Sequence, residues 1–339
     1  MRVTQQDIAK FAQVSQATVS RVLAGDERVE PDIRQKVLEA IEQHNYQPDM
    51  RARSLRTRSS GLIGLAVKRP HGGLDGDPFY TSLISELLDG LSETDFHLCI
   101  ETVPNGVGQF RVYDEMLRTR RVDGLVLVES EADDERLALL QRDRFPFVLI
   151  GNPMGQRVWS VDNDNVYAGQ IATQHLFESG YRRIGMIAGP QGITVSDDRI
   201  AGYRRIVTQY EGEAQVWNAD FGLEAARDVA ILALLRQDAP DALVVLDDYM
   251  AMGVVIAARK LGKRIPQDLG LVSFNDSTVC LMLEGGLSSV SLDIPKLVKS
   301  ALNRLMRNVR DEEDEDPQRT IVPCYLNVRG SSMRGGGLL

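Results

Sequence analysis

Val14-Ser15-Gln16-Ala17-Thr18-Val19-Ser20-Arg21-Val22-Leu23 is the stretch whose reading decides the N-terminal fold. Ser15 can cap a helix over 16–23, because its hydroxyl accepts from backbone N–H groups that have no partner in a first turn. Val19, Val22 and Leu23 share the buried face of that helix, and Gly25 supplies its stop. Gln16, Ala17, Ser20 and Arg21 face outward. Upstream, Thr4 and Asp7 form the T-x-x-D start of a first helix with Ile8, Phe11 and Ala12 on its apolar side, ending near Gln13. Two short helices joined by a turn of about three or four residues make a helix-turn-helix unit. Pro31 opens a third helix through Ile33, Val37, Ala40 and Ile41, which closes a small core with Tyr46. The polar start of the second helix suits a major groove, where Arg21 can hold guanine O6 and N7 with two hydrogen bonds. A three-helix protein-binding module has the same spacing, so the pattern alone leaves DNA binding open.

Charge narrows the choice. The 339 residues carry a net charge of −9, which by itself argues against nucleic acid. Residues 1–60, however, hold 10 Lys and Arg against 8 Asp and Glu, a net of +2 that leaves −11 for the remainder. Arg51, Arg53, Arg56 and Arg58 follow with no acid among them, which suits a phosphate backbone, although a solvated linker would look similar. The acidic run 311–316 reads as a solvated loop that also repels DNA from its face. No apolar run approaches the roughly 18 residues that span a bilayer, and the N-terminus lacks a signal-like stretch, so a cytoplasmic protein without a membrane partner is expected. Cys99, Cys280 and Cys324 lie far apart in or beside apolar runs, favouring buried thiols over disulfides or metal ligands. With 4 scattered histidines and no C-x-x-C or H-E-x-x-H, neither a metal nor a cofactor is expected.

From residue 60 the rhythm changes. Short apolar runs at 62–67, 97–103, 124–128, 147–151, 184–188, 214–217, 243–246 and 271–274 predict strands. Helical stretches at 80–94, 166–180, 199–211, 223–237 and 250–261 lie between them. Alternating buried strands and helices indicate doubly wound parallel sheets, and so many strands divide better into two lobes than one. A ligand then sits between the lobes, at the carboxyl ends of the strands.

The residues themselves resemble the lactose/galactose-repressor (LacI–GalR) family. Asp7-Ile8-Ala9-Lys10, the block 14–23 quoted above, Lys36-Val37-Leu38-Glu39-Ala40-Ile41, Asn45-Tyr46-Gln47-Pro48 and Ala52-Arg53-Ser54-Leu55 carry the likeness in order and spacing. Val161-Asp162-Asn163, Asp198-Arg199-Ile200-Ala201-Gly202-Tyr203, Asp248-Tyr249-Met250-Ala251-Met252-Gly253 and Val272-Ser273-Phe274-Asn275-Asp276 extend it through the core. The fold implied is an all-α helix-turn-helix headpiece followed by a periplasmic-binding-protein-like α/β core of two doubly wound parallel-sheet lobes. The divisions implied are a headpiece at 1–47, a hinge at 48–60, one lobe at 61–161 with 292–320, and another at 162–291 with 321–330. Function follows as a DNA-binding regulator, expected to repress carbohydrate-utilisation genes as a dimer on a palindromic operator and to answer a sugar-like effector.

By the same resemblance, Thr4, Ser15, Gln16, Ala17, Thr18, Ser20, Arg21 and Tyr46 contact DNA. Arg51, Arg53 and Leu55 belong to a hinge helix that orders in the minor groove, with Leu55 wedged between base pairs. The effector site implied uses Phe79, Tyr80, Asp162, Arg199, Phe221, Asp247 and Asn275. Aromatic faces stack on sugar C–H surfaces, while Arg, Asp and Asn pair with vicinal hydroxyls. Tyr80 and Phe221 have ordinary core packing as their alternative, and His175 reads as a helix-packing residue. Three departures stand out: Ala24 replaces the family's usual Asn, Glu30 a capping Ser, and Asn275 the usual Asp. The glycine-rich stretch 71–78 reads as a mobile loop at the cleft mouth. It lacks the G-K-[ST] ending of a phosphate loop, no G-x-G-x-x-G follows the first strand, and no nucleophile motif occurs. An enzyme is therefore not expected; a sugar-binding protein or sugar-modifying enzyme remains the alternative class.

Overall fold

A computed structural model of the chain describes residues 3–23, 25–46, 59–67, 77–103, 108–312 and 316–334. They form two units, the first ending at Ser60 and the second beginning at Gly61.

In the first unit, helices α1 (Gln5–Phe11), α2 (Gln16–Leu23) and α3 (Pro31–Gln43) enclose Ile8, Val19, Val22 and Val37. The Thr4 hydroxyl accepts from the Asp7 amide, and the Asp7 carboxylate accepts in return from the Thr4 amide, so the sequence's weak capping signal is a complete capping box. Ser15 caps α2 by accepting from the Thr18 amide at 3.1 Å. Gly25, at φ 72°, reverses the chain after α2 in the left-handed region that a side chain disfavours. One expectation needs correction and another is met. Phe11 is 52% exposed and stacks on His44 at 3.8 Å instead of joining the core. Glu30 precedes α3 without any side-chain capping bond, and Pro31 carries that helix start.

The second unit holds two six-stranded sheets. The first has the order β11-β5-β4-β3-β1-β2, from β1 (Leu62–Val67), β2 (His97–Thr102), β3 (Gly124–Val128), β4 (Phe147–Ile150), β5 (Ser160–Asn163) and β11 (Arg319–Val322). The second runs β12-β10-β9-β8-β6-β7, from β6 (Ile184–Ala188), β7 (Gln215–Asn218), β8 (Ala242–Val245), β9 (Gly270–Phe274), β10 (Ser288–Ser291) and β12 (Tyr325–Asn327). All pairings are parallel except β10 with β12. Helices α4 (Pro78–Leu91), α5 (Gly108–Arg118), α6 (Glu135–Arg142) and α11 (Ile294–Val309) belong to the first lobe. Helices α7 (Asn165–Glu178), α8 (Thr194–Gln209), α9 (Leu223–Leu234) and α10 (Asp248–Lys260) belong to the second.

Each strand expected from the sequence is present within a residue or so. Strands β5, β10, β11 and β12 add to them, and they explain why the lobe limits shift. Asp162 and Asn163 still pair in the first sheet, as do Ile321 and Val322, so the chain crosses between lobes at 163–165, 291–294 and 322–325. These strands are short and polar; Ser288 and Ser289 are fully buried in β10 only because their hydroxyls bond Arg329 O and Asp248 Oδ1. Helices α7 and α8 touch backbone to backbone. A Cβ on Gly202 would overlap the Val166 carbonyl, so glycine there lets α8 approach and sets the position of Arg199.

Candidate effector cleft and DNA-reading surface

A cleft partly open to solvent lies where strand ends from both sheets converge. Val128 ends β3 and Glu129 and Ser130 follow it, Ile150 and Gly151 close β4, and Leu246 and Asp247 follow β8. Carboxyl ends of parallel strands leave side chains and helix N-termini pointing into one crevice, which is why the site forms there.

Arg199 is the cationic centre. Helix α8 begins at Thr194, so Arg199 sits in its second turn and not at the helix end that the sequence block suggested. Only 4% of it is exposed. Its Nε donates to Asn165 Oδ1 at 3.1 Å, its Nη1 to the Leu246 carbonyl at 2.6 Å, and the guanidinium lies 4.2 Å over the Phe274 ring. Nη2 makes no hydrogen bond to the described residues, which leaves one donor fork edge for a ligand. Burial pulls its pKa down to about 10, opposed by Asp247 and Asp162.

Asp247 lines the same space and caps α10, accepting from the Met250 amide at 2.7 Å. Burial pushes its carboxyl up to about 7; the Met250 bond lowers it, and Asp77 raises it further. The folded chain therefore keeps a proton that the unfolded chain gives up between about pH 4 and pH 7, and this group's contribution to stability declines as pH rises through that window. Asp247→Asn keeps a capping side chain but removes the ionisation. In thermal unfolding without ligand, the variant is expected to melt several degrees above the parent at pH 8, with no difference at pH 4. Parallel melting curves for parent and variant across that range would contradict the reading.

The other expected residues divide. Phe79, Phe221 and Asn275 line the cleft, Asn275 in the positive-φ region at 99°. Tyr80 does not line it: its ring is 1% exposed in the first lobe's core, with the Phe79 ring edge-on at 5.5 Å. Asp162 reaches the cleft wall, but its oxygens already accept from Arg319 at 2.6 Å, the Asn163 amide at 2.8 Å and Asn165 at 3.0 Å. Burial raises its pKa against the pull of Arg319. His175 packs as expected, its Nε2 at 2.7 Å from the Ser332 hydroxyl.

Sequence reasoning missed Asp77, Ser130, Asn165 and Thr194. Asn165 lay two residues past a recognised block and was within reach; Ser130 and Thr194 carried no signal. Across the cleft, the Ser130 and Thr194 hydroxyls bond at 2.7 Å, Glu131 bridges Ile193, and Asn152 donates to Asp198 at 2.9 Å.

On α2, Gln16, Ala17 and Arg21 are exposed, and Thr18 and Ser20 are half-buried. Ser15 and Thr4 spend their hydroxyls on caps, while Tyr46 packs against the three-helix core. Arg51, Arg53, Leu55, Ala24, the loop 71–76 and residues 313–315 of the acidic run lie outside the described residues.

The family described as bacterial regulatory proteins of the lacI family matches residues 4–49, and the periplasmic-binding-protein-like domain matches residues 173–332. The transcriptional regulator CelR of Thermobifida fusca is 33% identical over 97% of this chain and 98% of its own length. The chain belongs to the LacI family. A ribose operon repressor of Halalkalibacterium halodurans is 31% identical over 98% of both chains. Among solved structures, a CelR–cellobiose complex superposes with a TM-score of 0.75 at 30% identity, covering 97% of this chain and 100% of that one. A lac repressor dimer bound to operator gives 0.85 at 21% identity over 98% and 100%, which shows the shared fold. As a LacI-family member this chain is a DNA-binding transcriptional regulator, with the reading head in its first unit and the periplasmic-binding-protein-like core in its second. No helix among the described residues is long and apolar enough to cross a membrane.

Proposed function

We propose that this LacI-family member represses carbohydrate-utilisation genes as a homodimer and releases its operator when a neutral sugar enters the cleft. The observation that carries the reading is the makeup of the cleft. Phe79 and Phe221 offer ring faces, Arg199 and Asn275 offer donors, and Asp77, Glu129, Asp162 and Asp247 surround a single buried cation. With Asp162 already held by Arg319, the remaining carboxyl groups still outnumber the one lining guanidinium, which disfavours phosphorylated or carboxylated effectors, whereas hydroxyls can donate to acids and accept from Arg. Cellobiose is the first compound to test, because CelR is seen bound to it and resembles this chain end to end. Arg21 is assigned to base reading, with Gln16, Ala17 and Ser20 beside it on α2. Arg51, Arg53 and Leu55 are assigned to the minor groove between the two half-sites.

Operator fragments selected from random DNA by the full chain supply the test. Arg21→Ala is expected to lower affinity for the selected site by about 1–3 kcal/mol and to relax preference at one base pair per half-site. Leu55→Ala should bend the same fragment less. Addition of cellobiose should release the parent, and sedimentation should give twice the chain mass. No selected sequence, or release by phosphosugars but not neutral sugars, would overturn the proposal.

A further inference from the structure

The two lobes are joined by three crossovers, at 163–165, 291–294 and 322–325. One side chain touches all of them. Asn163 ends the first crossover's strand and is 2% exposed; its Nδ2 donates to the Leu292 carbonyl at 2.9 Å in the second crossover and to the Val322 carbonyl at 2.9 Å in the third. Both partners are carbonyls, so only the nitrogen of the carboxamide satisfies them, and both its hydrogens are consumed.

We propose that Asn163 is a hinge pin: a positioning residue that binds the three crossovers into one axis and makes lobe closure a single concerted rotation. Three separate strands at a hinge can each twist and slide by changes in their own dihedral angles. Tying each to one rigid, planar amide removes those independent motions, and burial makes the ties costly to break. The pin also adjoins the ligand machinery. Asp162 precedes it in the chain, Asn165 follows two residues later, and the Asn165 amide bonds Asp162 on one side and Arg199 on the other. Movement of Arg199 toward a bound ligand is thereby delivered to the pinned axis.

Asn163→Asp keeps the side chain's size but cannot hold both carbonyls: ionised it donates to neither, and protonated it donates to one at most. In the full chain with Cys99→Ser, spin labels on Glu93→Cys in the first lobe and Glu211→Cys in the second report the interlobe distance, both sites being exposed. Labelled chain is diluted into excess unlabelled chain so that one protomer is read. Without ligand, Asn163→Asp is expected to at least double the width of the distance distribution. Tyr203→Phe removes a buried hydroxyl bonded to Ile184 O and Gln215 O away from the hinge, and should leave the width unchanged. An unchanged width in Asn163→Asp, or equal broadening in Tyr203→Phe, overturns the pin. If Asn163→Asp does not fold, Asn163→Ala, which sets no carboxylate against the two carbonyls, is measured in its place with the same criteria. With cellobiose, the ratio of operator affinities without and with sugar should fall at least fivefold in the pin variant. A parent indifferent to cellobiose would refute the proposed effector, while the distance widths would still decide the pin.

Discussion

Arg199→Ala is expected to leave operator binding without ligand within about twofold of the parent while weakening cellobiose binding on the order of 100-fold. The variant becomes a repressor that no longer hears its signal. The magnitude comes from a charge-assisted donor in a buried site, where such hydrogen bonds are worth about 1.5–3 kcal/mol each and about 1.4 kcal/mol is a factor of ten. Arg199 has only one terminal nitrogen left for the ligand, since Nε and Nη1 hold Asn165 and Leu246. Its removal takes that donor and also frees Asn165, which otherwise fixes the wall near Asp162. Arg199→Lys retains charge but not the fork, and should recover less than a tenth of the lost affinity. Calorimetry with cellobiose, run beside operator binding on the same preparations, separates the two functions. Parent-like affinity in Arg199→Ala would mean that the guanidinium serves the packing of α8 on Phe274 and nothing more.

What the sequence made legible follows from how locally each feature is encoded. The headpiece was readable because caps, stops and apolar faces lie within a few residues of one another. Even there Phe11 misled, since an aromatic at a helical core spacing can stack on a neighbour such as His44 and stay exposed. The long apolar strands of both sheets were equally plain. Strands β5, β10, β11 and β12 were not, because their burial depends on hydroxyl and amide partners more than a hundred residues away in some cases, such as Asn163 with Leu292 and Val322. The cleft shows the same division. Family likeness brought Arg199, Asp247, Phe221 and Asn275 to it, yet it could not tell Phe79, which faces the cavity, from Tyr80, which faces the core one position on.

Asp134→Ala is expected to cost the core about 3–5 kcal/mol, the usual penalty when one partner of a buried ion pair is removed. Asp134 and Arg136 side chains are 2% and 1% exposed and joined at 2.5 Å, so the arginine left behind has neither solvent nor a replacement carboxylate in the pair. Asp134 also caps α6 by accepting from the Arg136 amide, which adds to the loss. The pair does more than balance charge. Arg136 Nη2 donates to the Glu129 carbonyl at 2.8 Å, just where Glu129 takes the left-handed φ of 57° that turns the chain toward the cleft. The next residue, Ser130, then meets Thr194 from the opposite lobe. A double variant, Asp134→Leu with Arg136→Met, replaces the pair by apolar groups and should regain most of the lost stability. It should not regain the clamp on Glu129. Thermal unfolding near the parent's, together with roughly tenfold weaker cellobiose binding, is therefore the expected result. Parent-like binding in that double variant would show that the Glu129 turn holds itself, and that the buried pair contributes stability without shaping the cleft.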